Sequence, residues 1–393
     1  MKIGMVSPYD WSYPGGVRDH IRHLSAELIK LGHEVRILTP ASTAQRLQDV
    51  FNENLYIMGH TRPIPINGSI ARIAWDSSLT PLLQAILARE RFDILHIHEP
   101  LVPGLPLTAL RLYQGVTVGT FHAFARSSMT STSYLAYASA SPFLRPYFKQ
   151  LAGHIAVSTV AREFVAHYFP ANYRVIPNGV NLERFHQRVV PLPHLSDDKL
   201  NILFVGRFER RKGVKYLLQA IPLVRDRHPN TRFIFVGEGH RRQDMQRIVT
   251  QRGWSDVIFT GYVPDRELPH YYASADLFCA PATGGESMGI VLLEAMASGV
   301  PVVATDIPGY ATVVESGING LLTPPRDSLE LAVAMNYLLD HPALRHQYAQ
   351  AGLLNVRDYA WPHVARNVLD YYYTLLAQRS GLVEPMKESV AIP

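Results

Sequence analysis

Short runs of apolar, β-branched residues alternate with stretches of helical periodicity along almost the whole 393-residue chain. The first half offers KIGMVSP, EVRILTP, LYIMG, ILHIHEP, TVGTFHA and HIAVS; the second offers NILFVGR, RFIFVGEG, VIFTGYV, LFCAPA and PVVATDIPG. Runs of this length that are apolar nearly throughout predict strands buried on both faces. Between them, positions such as Val17, Ile21, Leu24, Leu28 and Leu31 repeat at helical spacing and define one apolar face. Strand-helix-strand alternation predicts an α/β fold with parallel sheets covered by helices on both sides.

The pattern runs twice. NLERFHQRVVPLPHLSDDKLN (181–201) is proline-rich, polar and aperiodic, and a fresh strand starts at its end. Two doubly wound, Rossmann-like domains facing across a cleft are therefore expected, over 1–190 and 191–360, with ligands at the carboxyl ends of the strands. A last helical stretch occupies 361–380, and the tail 381–393 is expected to be disordered.

Composition narrows the class. With 47% hydrophobic and 18% charged residues, the chain reads as soluble and globular. A single cysteine, Cys279, excludes an internal disulfide and fits a reducing compartment. There is no apolar stretch of about 18 residues or more to span a membrane. The chain enters directly on a strand, so a cytoplasmic location is expected. Charge is uneven: residues 1–190 carry 18 Lys+Arg against 12 Asp+Glu, the remainder 20 against 21. A basic first half points to an anionic partner, unless those arginines only line solvated helix faces. The segment 127–154 has no charge before Arg145 and is rich in aromatics. It reads as a lipid-interface element or as a helix packed on the protein's own core.

The densest chemistry lies in PATGGESMGIVLLEAMASGVPVVATDIPG (281–309). Glu286 sits in a glycine-rich loop, and Glu294 lies in an apolar helical run, where a charge is costly unless paired. A helix opening at Ser287-Met288-Gly289-Ile290-Val291 would aim free N–H groups at an anion. Glycines at 284, 285 and 289 would let a ligand approach the backbone. On that reading Glu286 takes hydroxyls, and Glu294 follows a little over two turns later on nearly the same side. Otherwise Glu286 is a helix cap and Glu294 a paired structural charge.

VGRFERRKG (205–213) ends the first strand of the second half. Arg207 and Lys212 can reach phosphate there, with Arg210 and Arg211 read as solvated; an exposed basic turn is the alternative. In SPYDWSYPGGV, Gly15 and Gly16 stand in a strand-to-helix turn fit for phosphate approach, although G-x-G-x-x-G is missing. His122 follows an apolar strand at its carboxyl end, as a site residue or a satisfied core histidine. His96 and His98 share a strand face beside Glu99, with no third metal ligand adjoining them, and no Asp-x-Asp occurs.

Taken together, GGESMGIVLLEAMASGVPVVATDIPG, VGRFERRKG and PNGVNLERF (177–185) resemble the E-x7-E signature and two landmarks of family 4 retaining glycosyltransferases, over roughly residues 1–375. PYDWSYPGGV, RPIPINGSIARI, DILHIHEP and GTFHA resemble, more particularly, that family's phosphatidylinositol mannosyltransferases. The resemblance implies a GT-B fold whose C-terminal helix crosses back to the first domain. It implies mannose transfer from GDP-mannose to phosphatidylinositol at the cytoplasmic membrane face, without metal or other cofactor. Glu286 would hold the donor sugar and Glu294 the ribose. Arg207, Lys212, Gly15 and Gly16 would hold the diphosphate, aided by the amides of Gly289, Ile290 and Val291. Val263, Ser287 and Met288 fall in the same donor stretches, and His122 would contact the sugar near the reacting carbon. Tyr9, Asn67 and Arg72 lie in the acceptor stretches. Arg126 is the nearest cation after the histidine, in AFARSS, where the family pattern is Thr-rich with a lysine.

A UDP-glucose enzyme with another acceptor remains the alternative within the class. Outside it stand a non-catalytic nucleotide-binding module and a nicotinamide oxidoreductase, the latter opposed by the missing glycine fingerprint. No nucleic-acid partner is expected.

Overall fold

A computed structural model describes residues 1–13, 15–42, 54–66, 69–75, 78–122 and 132–382. The chain divides into two compact units, Met1–Asn178 together with the segment from Trp361 onward, and Gly179–Ala360.

The first unit is built on seven parallel strands in the order β3-β2-β1-β6-β7-β8-β9. These are β1 (Lys2–Val6), β2 (Glu34–Thr39), β3 (Leu55–Ile57), β6 (Ile94–His98), β7 (Val116–Phe121), β8 (Gly153–Ala156) and β9 (Tyr173–Val175). β4 (Thr61–Ile66) and β5 (Ser69–Ala74) form a separate antiparallel hairpin. The intervening helices are α1 (Gly16–Lys30), α2 (Leu79–Glu90), α3 (Leu105–Leu112), α4 (Thr132–Phe148) and α5 (Thr159–Tyr168). β1 and β6 are buried along nearly their whole length because helices cover both sheet faces. One face packs Ile3 and Met5 against Ile21, Leu24 and Leu28 of α1; the other packs Val6 and Ile97 against Leu83 and Leu105.

The second unit repeats the scheme with six parallel strands, β12-β11-β10-β13-β14-β15. They are β10 (Leu200–Val205), β11 (Thr231–Val236), β12 (Val257–Gly261), β13 (Leu277–Ala280), β14 (Val302–Thr305) and β15 (Leu321–Thr323). Its helices are α6 (Val214–Arg225), α7 (Arg242–Gln251), α8 (Leu268–Ala273), α9 (Ile290–Ala297), α10 (Pro308–Ala311), α11 (Ser328–Asp340) and α12 (Pro342–Asn355). The last helix, α13 (Trp361–Arg379), belongs to the first unit, where Trp361, Val364, Val368 and Tyr372 join the core beside α1. A Cβ on Gly153 would stand 2.5 Å from Leu375 Cδ1, so α13 packs closely on that strand and a larger residue there would push the Leu375 side chain aside.

Two expectations need correction. The first unit ends at Asn178, not at 190. Val180 bridges to Ala360 and donates its N–H to the Tyr359 carbonyl at 2.8 Å, and Phe185 packs on Tyr272. Those apolar anchors draw the polar segment onto the second unit. The helix expected to open at Ser287 begins at Ile290, flanked by Gly289, because residues 281–289 are held in a loop by neighbouring turns. Glu294 is thus one turn into the helix rather than two. Most of the tail 381–393 lies outside the described residues.

In each sheet the strand order reverses once, between β1 and β6 and between β10 and β13. A parallel sheet opens a crevice at the carboxyl ends of such a pair.

Candidate active site

In the second unit three loops meet at the carboxyl ends of adjacent strands β10, β13 and β14. The basic turn after β10 closes with Gly213 at φ +70°, and a Cβ there would lie 1.7 Å from the Pro281 carbonyl oxygen. Only glycine permits both the left-handed backbone and that approach. Thr283 donates its N–H to the Arg211 carbonyl at 2.7 Å, tying the basic turn to the glycine-rich loop. From the third loop, Gly309 comes so near that a Cβ would sit 2.0 Å from the Glu286 carbonyl oxygen.

This backbone frame brings Glu286 and the cations together. Lys212 Nζ lies 2.9 Å from Glu286 Oε1, with the lysine side chain 13% and the glutamate 11% exposed. Arg211 pairs with the same Oε1, donates to the Gly285 carbonyl at 3.2 Å, and meets Glu209 Oε2 through Nε at 2.9 Å. Arg207 Nη1 lies 3.0 Å from the other Glu209 oxygen and is 56% exposed. Burial works against the Arg211 charge, but Glu286 and Glu209 outweigh it and raise its pKa. Arg211, expected to be solvated, is instead the bridge between the two carboxylates; its carbonyl is engaged by Thr283, which turns the side chain toward the loop. Glu209 was not singled out either. The signal available was its place in E-R-R-K, one carboxylate amid three cations.

Glu294 has its own support. The Tyr272 hydroxyl donates to Glu294 Oε2 at 2.8 Å, and burial, then Glu294, push the Tyr272 phenol well above its usual value. Gly289, Ile290 and Val291 form the start of α9, where the first N–H groups of a helix lack intrahelical partners. Ser287 is partly buried; Met288 is core, packed with Leu292 and Tyr310. Val263 packs on the edge of that same core.

In the first unit, the loops after β1, β6 and β7 carry the remaining residues. Gly15 and Gly16 open α1, and a Cβ on either would meet nothing within 4 Å. Nothing in the described fold therefore requires glycine there, which leaves room for an incoming group. Tyr9 bridges to Ile73, and Asp10 donates its N–H to the Arg72 carbonyl at 3.0 Å, so the loop after β1 lies on the hairpin. The Arg72 guanidinium stacks 3.9 Å from the Tyr13 ring centroid. Asn67 and Arg126 lie outside the described residues.

His122 sits among other histidines. Its N–H donates to Glu99 Oε1 at 2.8 Å, and Glu99 holds a left-handed φ of +48°, unusual for a non-glycine. His98 Nδ1 lies 3.0 Å from His122 Nε2. His20 from α1 places its ring centroid 4.8 Å from that of His122. Burial depresses all three: His20 to about 4, His98 and His122 well below the usual histidine value, with neighbouring imidazoles adding to it. These rings are uncharged at neutral pH. His96 belongs to the core: Tyr372 and Thr120 hydroxyls satisfy its two nitrogens at 2.5 and 2.6 Å.

The family description "Glycosyltransferase Family 4" matches residues 14–184, and "Glycosyl transferases group 1" matches 192–354. A phosphatidyl-myo-inositol mannosyltransferase of Mycobacterium leprae is 37% identical over 385 residues, covering 97% of this chain and 98% of that protein. The protein of the same name from Mycobacterium tuberculosis is 37% identical over 380 residues, covering 95% and 97%. Among solved structures, Anabaena HepE in complex with UDP-glucose superposes with a TM-score of 0.76 at 19% identity, over 95% of this chain and all of that one. That likeness shows the fold, two Rossmann-like α/β domains of the GT-B type.

Proposed function

The chain belongs to the family 4 glycosyltransferases, and from that premise we propose that it moves mannose from GDP-mannose onto phosphatidylinositol, with retention and without a metal. The observation that carries the choice of donor and acceptor is the near full-length similarity to the mycobacterial mannosyltransferases.

The geometry supports a division of labour. In the second unit, Glu286 accepts hydrogen bonds from the donor sugar's hydroxyls and Glu294 from the ribose. Lys212 and Arg207 take the diphosphate, with the amides of Gly289, Ile290 and Val291 and the partly buried Ser287 beside them; Val263 and the Met288 backbone complete the donor pocket. Positive charge at the departing diphosphate stabilises the transition state more than the ground state. In the first unit, the open space at Gly15 and Gly16 admits phosphate oxygens, and neutral His122 contacts the sugar near the reacting carbon. A leaving phosphate oxygen takes the acceptor's proton on the face from which it departs, which preserves the anomeric configuration. Tyr9, Asn67, Arg72 and Arg126 bind the inositol phosphate.

The lipid reading also draws on the surface of the first unit. Phe143 is 78% exposed, and a cavity of about 480 Å³ is lined by Trp75, Leu79, Leu107, Tyr147 and the cation of Arg111. No helix among the described residues is long and apolar enough to cross a membrane. Attachment is then peripheral, at the inner face of the cell membrane, aided by the basic balance of the first 190 residues.

The test is turnover on liposomes containing phosphatidylinositol, with GDP-mannose or UDP-glucose, in excess chelator. Lipid-linked mannose from GDP-mannose alone is the expected product. Transfer from UDP-glucose, or none to this lipid, would overturn the donor or the acceptor assignment respectively.

A further inference from the structure

Of the two histidines that share a strand face, His98 acquires neighbours from other elements. His98 ends β6, His122 follows β7 beside it, and His20 lies on the buried face of α1. Ring centroids are 5.3 Å apart for His20 and His98 and 5.3 Å for His98 and His122. One ligand nitrogen from each of the three falls within 4.8 Å of the others.

A buried histidine that serves packing alone has its ring nitrogens satisfied, as His96 does two residues earlier. His98 does not. It is 0% exposed, its Nε2 has no hydrogen-bond partner, and its Nδ1 faces the His122 ring. His20 commits Nδ1 to the Asn178 amide oxygen at 2.8 Å. That oxygen only accepts, so Nδ1 carries the proton and Nε2 carries the lone pair. An outer oxygen holding one imidazole nitrogen so that the other faces a centre is the support that metal-binding histidines receive.

We propose that His20, His98 and His122 form a three-imidazole site for a divalent cation of the zinc class, and that its occupancy withdraws His122 from catalysis. The ligands are all nitrogen, which favours Zn²⁺, Ni²⁺ or Cu²⁺ over Mg²⁺ or Mn²⁺. Zinc–nitrogen bonds of about 2.0–2.1 Å set neighbouring ligands about 3.3 Å apart. His98 Nδ1 and His122 Nε2 already stand 3.0 Å apart, with one proton between them that the ion would replace, and side-chain rotation brings the His20 nitrogen in. His122 alone of the three is not fully buried, so an ion would enter from its side. The occupancy is independent of the proposed reaction; the inhibition rests on it.

The test begins with chelator-treated, dialysed full-length protein titrated with Zn²⁺. One equivalent should bind, with zinc-edge X-ray absorption counting three imidazoles at about 2.0 Å. Fewer than three, or no saturable binding, overturns the site without recourse to any variant. His20→Gln and His98→Gln, checked for folding by circular dichroism, should each weaken Zn²⁺ at least tenfold. Unchanged affinity would assign the ion to others of the 17 histidines and overturn the site. In the transfer assay, stoichiometric Zn²⁺ should suppress turnover, chelator should restore it, and Mg²⁺ should do nothing. Zinc bound here with turnover intact overturns the inhibition. Zinc bound here by a protein that transfers no mannose to phosphatidylinositol supports the site and counts against the proposed function.

Discussion

Lys212 Nζ lies 2.9 Å from Glu286 Oε1, and Arg211 pairs with the same oxygen. One carboxylate oxygen therefore carries two cations before any donor arrives. On the proposed function, a diphosphate entering here would compete for those cations and free Glu286 to accept hydrogen bonds from the sugar, coupling anion binding to sugar orientation through one oxygen.

Glu286→Ala should lower turnover by about 10²–10³-fold, the cost of losing a group aimed at the reacting sugar. Affinity for free GDP should change far less, since that ligand lacks the sugar. Calorimetry with GDP beside steady-state kinetics makes the comparison; equal losses in both would remove Glu286 from the sugar.

Arg211→Gln should lower kcat by about tenfold or more with a smaller change in donor KM, because Glu286 loses the partner that orients it while Lys212 still holds the anion. Stability should fall by about 1–2 kcal/mol, less than for a carboxylate left wholly unpaired, because Lys212 and Arg207 remain. Arg211→Lys should recover part of the rate. A variant with the parent's kcat would make Arg211 a surface charge.

Gly16→Ala should leave thermal stability unchanged or raise it by up to about 1 kcal/mol, since alanine suits a helix and the added methyl meets open space. Donor affinity should nevertheless drop at least tenfold, because a phosphate can no longer approach the backbone. A thermal melt and a nucleotide titration on one sample decide it; tight binding by the variant removes the glycine pair from the donor site.

Tyr272→Phe deletes one hydroxyl whose partner is Glu294 Oε2 at 2.8 Å. The expected cost is about 1–2 kcal/mol of stability, with a several-fold loss of nucleoside diphosphate affinity from a loosened Glu294. The parallel loss for a nucleotide lacking the 2′- and 3′-hydroxyls should be absent. Equal losses for both nucleotides would place Glu294 away from the ribose.

His154 predicts the acid limb of stability. Burial holds it at about 4, its Nε2 lacks a partner, and its ring stacks 4.6 Å from Phe148. In the unfolded chain it titrates near 6.5, so the unfolded state takes up the proton first as pH falls. Stability is therefore full above about pH 6.5 and lost progressively down to about pH 4, by as much as about 3 kcal/mol from this residue. Denaturant melts from pH 7 to 4 should show a shallower slope for His154→Phe than for the parent. Parallel slopes would assign the acid sensitivity to other groups.

The strands named from the sequence are all present, because fully buried parallel strands must be apolar almost throughout, and that pattern needs no partner to be seen. Three elements escaped it. β9 and β15 are three residues long, too short to show a period. The β4–β5 hairpin is interrupted by Pro63 and Pro65, yet Asn67-Gly68 between apolar alternations was a readable turn signal. Glu286, Lys212 and Glu294 were legible because costly residues stand in glycine-rich or apolar surroundings.

What the sequence alone determined was the class: two parallel α/β halves and the E-x7-E spacing of a family 4 glycosyltransferase. Tertiary structure decided the pairings. Arg211 proved a bridge rather than a solvated cation, Asn178 rather than residue 190 closed the first unit, and His20 came to lie beside His98 and His122. Local pattern reports whether a residue is buried, since burial follows the period of its own strand or helix. Which charge or imidazole it meets depends on strand order and crossover, and these bring together residues a hundred positions apart that no local spacing connects.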